Sequence, residues 1–171
     1  MKNILLITFA LLTQISNSQI TKNTGDFSKV TAFDQIEVEL IKSTQNKVIL
    51  NGNGCEEVEL VNKNGELKIR MPLSKLMSGD NITATVYYKN IDAVETNEGS
   101  RISSQETIEN TSLDINAKEG SQIDLSIDVD RLVVKSSGGS QIELNGKATN
   151  QEAIINSGGE LNAKKLQTKQ T

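Results

Sequence analysis

Between residues 97 and 142 the chain writes one phrase three times: Asn97-Glu98-Gly99-Ser100-Arg101-Ile102, Lys118-Glu119-Gly120-Ser121-Gln122-Ile123 and Ser137-Gly138-Gly139-Ser140-Gln141-Ile142. With a further Gly at 159, the positions Gly99, Gly120, Gly139 and Gly159 are spaced 21, 19 and 20 residues apart. The apolar residues behind them, Ile102, Ile123, Ile142 and Leu161, are spaced 21, 19 and 19. A sustained period of this length marks units that cannot bury their apolar faces alone and must stack on one another.

Each period holds two short runs with strict alternation. Ile123, Leu125 and Ile127 fall on one face of such a run, and Gln122, Asp124 and Ser126 on the other. Period-2 alternation is the signature of a strand. Turn-forming residues separate the runs, as at 109–112 and 128–131. The expected fold is therefore all-β, a parallel β-helix (β-solenoid) of about 20-residue coils with a less regular N-terminal part. In it Gly99, Gly120, Gly139 and Gly159 form a corner ladder at positive φ, which Gly tolerates best. Ser100, Ser121 and Ser140 stand beside it, and Ile102, Ile123 and Ile142 inside it. Turn signals at this spacing also suit an antiparallel sandwich, but a sandwich has no reason to keep the same words.

The first half is less regular. Runs at 33–41, 47–53, 57–63 and 66–71 read as strands, and Asn64-Gly65 marks a hairpin that would make 57–71 antiparallel. Residues 72–81, with the chain's one Pro, read as a loop or short helix, and 25–81 as a cap with the first coils. Residues 1–18 have a basic start, the apolar run Ile4–Leu12 and small residues at 16 and 18, the pattern of a secretory signal peptide. Nine apolar residues fall well short of the roughly 20 needed to span a bilayer. Residues 19–171 are then one domain, with no membrane span after signal removal. The last half-coil has no cap, which points to truncation or to self-association through the solenoid end.

Loss of Lys2 with the signal leaves 17 basic against 22 acidic residues, net −5, which argues against nucleic acid. There is no His, and Cys55 is the one cysteine, so neither an intrachain disulfide nor a Cys–His pair can form. The expectation is no catalytic residue, no cofactor and no metal. Asp124, Asp128 and Asp130, with Asp114 a coil away, are the carboxylates that come closest to a Ca²⁺ site. They read first as a solvated face, because outward positions of half-buried strands are polar by default. Asn116, Asn145 and Asn156 are candidates for an Asn ladder. Arg101, Arg131 and Tyr87-Tyr88 are scattered candidates for a glycan contact.

The signal peptide, the stretch 25–43 (GDFSKVTAFDQIEVELIKS) and the phrases EGSRI, EGSQI and GGSQIELNGKA together resemble the GIN-domain family. Its members are called auto-transporter adhesin heads and are common in Bacteroidetes. The resemblance spans roughly 25–165. It implies a right-handed β-helix, and it carries no catalytic residues over. The expected function is a secreted or cell-surface, non-catalytic, adhesin-like binding module, with a glycan or surface protein as partner. The alternatives are an envelope scaffold that self-associates and, behind it, a polysaccharide-acting enzyme. The expected location is the periplasm, the outer surface or the extracellular space.

Overall fold

The computed structural model describes residues 19–170; the segment read as a signal peptide lies outside the described residues. Twelve strands form one sheet. They are β1 (Gln19–Asn23), β2 (Lys29–Ala32), β3 (Glu37–Lys42), β4 (Lys47–Gly52), β5 (Glu59–Lys63), β6 (Glu66–Arg70), β7 (Ile82–Tyr88), β8 (Ala93–Thr96), β9 (Arg101–Ala117), β10 (Gln122–Ser136), β11 (Gln141–Ile155) and β12 (Glu160–Gln170). Hydrogen bonding runs β1-β4-β7-β3-β9-β8-β2-β6-β5, and β10, β11 and β12 follow from β9.

The right-handed parallel β-helix expected from the repeated phrases is not what forms. β1 runs antiparallel to β4, β4 to β7, and β5 to β6. The result is a mixed sheet curled into a half-barrel around one core. The phrases that suggested a uniform solenoid begin only at residue 97. Upstream the chain turns back on itself, at Asn64-Gly65 with φ 54° and 79°, the geometry of a tight hairpin turn. The hairpin signal at that dipeptide pointed the right way.

β9 to β12 are long strands laid side by side in parallel. Ile123 faces Ile102 on one side and Ile142 on the other, and Ile142 faces Leu161. Within β10 the buried residues are Ile123, Leu125, Ile127 and Val129, then Leu132, Val134 and Ser136, with Val133 between them at 8% exposure. The alternation slips by one at Asp130, which is paired with neither neighbour. The strand bends there, and the one-residue slip keeps the apolar side of both arms on the core. A bulge explains why the first period is 21 residues and the next 19. Asp124 and Ser126 of β10 face Ser103 and Thr107 of β9, so β9 carries two extra residues. The bulge folds over β3: Ser104 Oγ donates to the Leu40 carbonyl at 3.0 Å, and the Lys42 amide donates to Glu106 at 3.0 Å.

The core is mainly aliphatic, with Phe27 and Tyr88 its buried aromatics and Tyr88 the largest fully buried side chain. Fully burying an Ile or Leu stabilises by roughly 1.5–3 kcal/mol. The row Val38, Ile102, Ile123, Ile142 is buried throughout and ties the irregular half to the regular one.

Candidate functional site

Five tight turns line one edge of the sheet, side by side. Each has two consecutive residues at positive φ: Asp34-Gln35, Glu98-Gly99, Glu119-Gly120, Gly138-Gly139 and Ser157-Gly158. Each closes with an amide three residues on, as when the Ser121 amide donates to the Lys118 carbonyl at 3.2 Å. Neighbouring turns are bonded to one another, Gly99 N–H to Glu119 and Gly120 N–H to Gly138. The left-handed conformation at the second position explains Gly at 99, 120 and 139.

The serine of each phrase is the joint between turns. Ser100, Ser121 and Ser140 are fully buried. Ser121 Oγ donates toward Thr96, 3.0 Å from its carbonyl and 2.8 Å from its hydroxyl, and accepts the Lys118 amide. Ser100 bonds the Ala32 carbonyl, and Ser140 the Ala117 carbonyl. Gly159 departs from the expected ladder. The turn glycine of the last copy is Gly158, and the register that faces Gln141 to Glu160 puts Gly159 in the serine place. A Cβ there would sit 2.5 Å from the Ser136 backbone.

Beside the turns, on the outer face of β9–β12, polar residues stand in rows. Arg101, Gln122, Gln141 and Glu160 are neighbours across the strands; Asp124, Glu143 and Asn162 form the next row. With Ile123 and Ile142 below, these residues line a shallow groove of about 230 Å³. Arg101 crosses it, with Nη1 3.1 Å from Gln122 Oε1 and Nη2 3.5 Å from Asp124. At the adjoining ridge of turns, partial burial holds the Glu98 carboxyl above its ordinary value, and the charges of Asp34 and Glu119 push the same way. The groove can offer amide donors and acceptors and three carboxylates to a ligand. No nucleophile paired with a base lies along it.

The other sequence candidates scatter. Asp124 pairs with Arg101, Asp114 pairs with Arg131 at 3.3 Å, and Asp128 and Asp130 point to solvent. Among the described residues no group of three acidic or cysteine side chains is placed to hold a metal ion. Asn116 stands beside Lys135, Asn145 beside Ser126, and Asn156 follows the strand end, so the three share no row. Tyr88 is in the core with Lys42 near its ring; Tyr87 faces outward under Lys47, 4.4 Å from the ring centre. The two tyrosines therefore form no joint platform. Cys55 is buried.

Two features went unread in the sequence. Asp34 is buried, and its carboxylate accepts the Met71 and Met77 amides at 2.9 Å, which fixes the loop at 72–79. Its turn, Phe33-Asp34-Gln35-Ile36, is a copy of the repeated one without its glycine, so the glycine count passed over it. An ion row also runs across four elements. Glu66 meets Lys29 at 2.9 Å, Lys29 meets Glu95 at 2.8 Å, and Glu95 meets Lys118 at 2.7 Å. The two lysines outweigh burial and bring the Glu95 carboxyl down to about 2. These residues lie far apart in sequence, and only the strand register makes them neighbours.

The model of the family described as "Putative auto-transporter adhesin, head GIN domain" matches residues 26–171. The chain belongs to the GIN-domain family. The GIN domain is similar in fold to solved structures. A "putative adhesin" from Bacteroides fragilis superposes with a TM-score of 0.76 at 16% identity, over 91% of this chain and 74% of that one. A "putative adhesin" from Parabacteroides distasonis gives 0.70 at 16%, over 90% and 75%. A "putative lipid binding protein" from the same species gives 0.60 at 15%, over 90% and 76%. No curated protein matches the GIN domain. No helix among the described residues is long and apolar enough to cross a membrane.

Proposed function

We propose that this GIN domain is an exported, non-catalytic, adhesin-like binding module that holds its ligand on the polar outer face of β9–β12. The observation that carries this reading is the pair of polar rows, Arg101-Gln122-Gln141-Glu160 and Asp124-Glu143-Asn162, set across parallel strands. Adjacent strands lie about 4.8 Å apart, so the face presents hydrogen-bonding groups at a fixed interval on a rigid sheet. Membership of a family described as adhesin heads supports the same reading.

The chemistry of the face selects among ligands. Asp124, Glu143 and Glu160 outnumber Arg101 in the groove, so an anionic polymer is repelled. Amides and carboxylates suit the hydroxyls of a neutral glycan or the polar surface of a protein. The relative named for lipid binding adds a second outcome to test, although a groove lined by charged and amide side chains suits a head group better than an acyl chain.

The test compares the wild-type protein with a Gln141→Lys/Glu143→Lys double variant on a panel of neutral glycans, anionic glycans, lipid vesicles and intact cells. Binding to a neutral glycan or a cell surface, weakened about tenfold or more in the variant, is the expected result. Binding that the variant leaves unchanged would remove the face from the account. Binding to vesicles alone would replace the glycan reading with the lipid one.

A further inference from the structure

Beyond the bend at Asp130, the outer face of the sheet has a second half. There the outward residues of β10 are Arg131, Val133 and Lys135, in step with Ser112, Asp114 and Asn116 of β9. The register continues through β8 and β2 to β6, so that Lys68, Thr31, Glu95, Asn116 and Lys135 form one row across five strands. The ends of that row lie about 19 Å apart, four steps of the usual strand spacing.

Charge sets this half apart from the groove crossed by Arg101. On these five strands Lys29, Lys68, Arg70, Arg131 and Lys135 face outward against Glu66, Glu95 and Asp114. Lys118, just past β9, adds a further cation. The other groove has three carboxylates against one cation. Charges are screened over about 8 Å at physiological ionic strength, so a ligand on one half feels little of the other. The carboxylates of the second half are also spent within it. Glu66 and Glu95 share Lys29, Glu95 holds Lys118 at 2.7 Å, and Asp114 meets Arg131 at 3.3 Å. Lys135 is left over: among the described residues no carboxylate pairs with it, and its neighbour on β9 is the Asn116 amide.

Lys135 and Asn116 line a groove of about 240 Å³, with Lys29 and Glu95 across from them and Ala93 and Val133 in its floor. Val133 faces outward yet is only 8% exposed, so the charged side chains around it shelter an apolar floor. We propose that this groove holds an acidic sugar unit of an anionic polysaccharide, its carboxylate or sulfate on the Lys135 ammonium, its hydroxyls on Asn116 and Glu95, and its ring against Val133. Complementary charge selects such a ligand here and rejects it at the other groove. The row favours a polymer over a lone anion: a chain laid along it runs from Lys135 past the Lys118–Glu95–Lys29 pairs to Lys68, whereas a single head group meets Lys135 alone. This site is separate from the lateral groove beside Arg101 and goes beyond the reading of that groove.

Binding of the purified protein to polygalacturonate, dextran sulfate, neutral dextran and phosphatidylglycerol vesicles at physiological ionic strength tests the proposal. Two variants at exposed positions accompany it, and circular dichroism checks that each stays folded. Lys135→Glu reverses the unpaired cation. Lys147→Glu makes the same charge change on β11 before the bend, where Lys147 faces Asp128. The wild type is expected to bind the two anionic polysaccharides more tightly than neutral dextran. Lys135→Glu is expected to weaken that binding about fivefold or more, the scale of an exposed ion pair turned into a repulsion, and Lys147→Glu to leave it nearly unchanged. A wild type that binds neither anionic polysaccharide overturns the proposal. So does an equal loss in both variants, which would tie binding to net charge, and so does tighter binding to the vesicles than to either polysaccharide.

Discussion

Single residues at the turn edge act through hydrogen bonds and close contacts rather than through size. Ser121 is buried with its hydroxyl shared between Thr96 and the Lys118 amide. Ser121→Ala removes these bonds from a buried place and leaves the Lys118 amide only the Thr96 carbonyl, at a cost of about 1–3 kcal/mol, read as a lower urea midpoint. Glycines of the turns and of the strands differ in what they tolerate. Gly139 has φ 75° and open space where a Cβ would go, so Gly139→Ala meets only the left-handed backbone cost of about 1–2 kcal/mol. Gly146 has φ 106°, and its Cβ would fall 2.0 Å from the Ile127 carbonyl oxygen. Gly146→Ala is therefore expected to lose clearly more stability than Gly139→Ala in the same titration. Equal losses would contradict the close packing of β10 on β11. The sequence made Gly99, Gly120 and Gly139 legible because they recur inside one phrase. It hid Gly146, which recurs nowhere, and it placed Gly159 one position off, since Gly158-Gly159 offers two glycines to a single register.

At the scale of elements, strands cohere through rows that cross them. Glu95 on β8 is held between Lys29 on β2 and Lys118 after β9. Its folded carboxyl titrates at about 2 against an ordinary 4.5, so the folded state binds the proton less readily than the unfolded chain. The stabilisation is present in full above pH 4.5 and is lost as the pH falls toward 2. It amounts to about 3 kcal/mol at neutral pH, given 1.36 kcal/mol per unit. Glu95→Gln is expected to lower stability at pH 7 by that order and to flatten the dependence between pH 4.5 and 2. A variant with an unchanged acid limb would move the cause elsewhere. Alternation revealed strands such as Gln122–Ser136 because each buries one face. Neither the bend at Asp130 nor the bulge at Ser104 to Glu106 has a composition of its own. They show in the sequence only as a slipped phase and a period that is two residues too long.

For the whole molecule, the repeated phrase described the parallel edge of β9–β12 and was extended too far. An all-β chain with a stacked aliphatic core follows from alternation and the scarcity of aromatics. The mixed sheet does not, because β1 and β4 pair with partners far away in sequence and no local signal sets their direction. Ile123→Ala, in the row that joins both halves, is expected to cost about 2–5 kcal/mol and to unfold the chain in one step. The polar rows of the candidate site were visible only as outward positions, and the strand register alone brings them side by side. The central claim is that this face is displayed to the outside. Protease treatment of intact cells, with lysed cells as the control and the culture medium sampled, tests it most directly. Cleavage on intact cells, or recovery of the protein from the medium, is the expected result. Full protection until lysis would contradict it and place the protein inside the envelope.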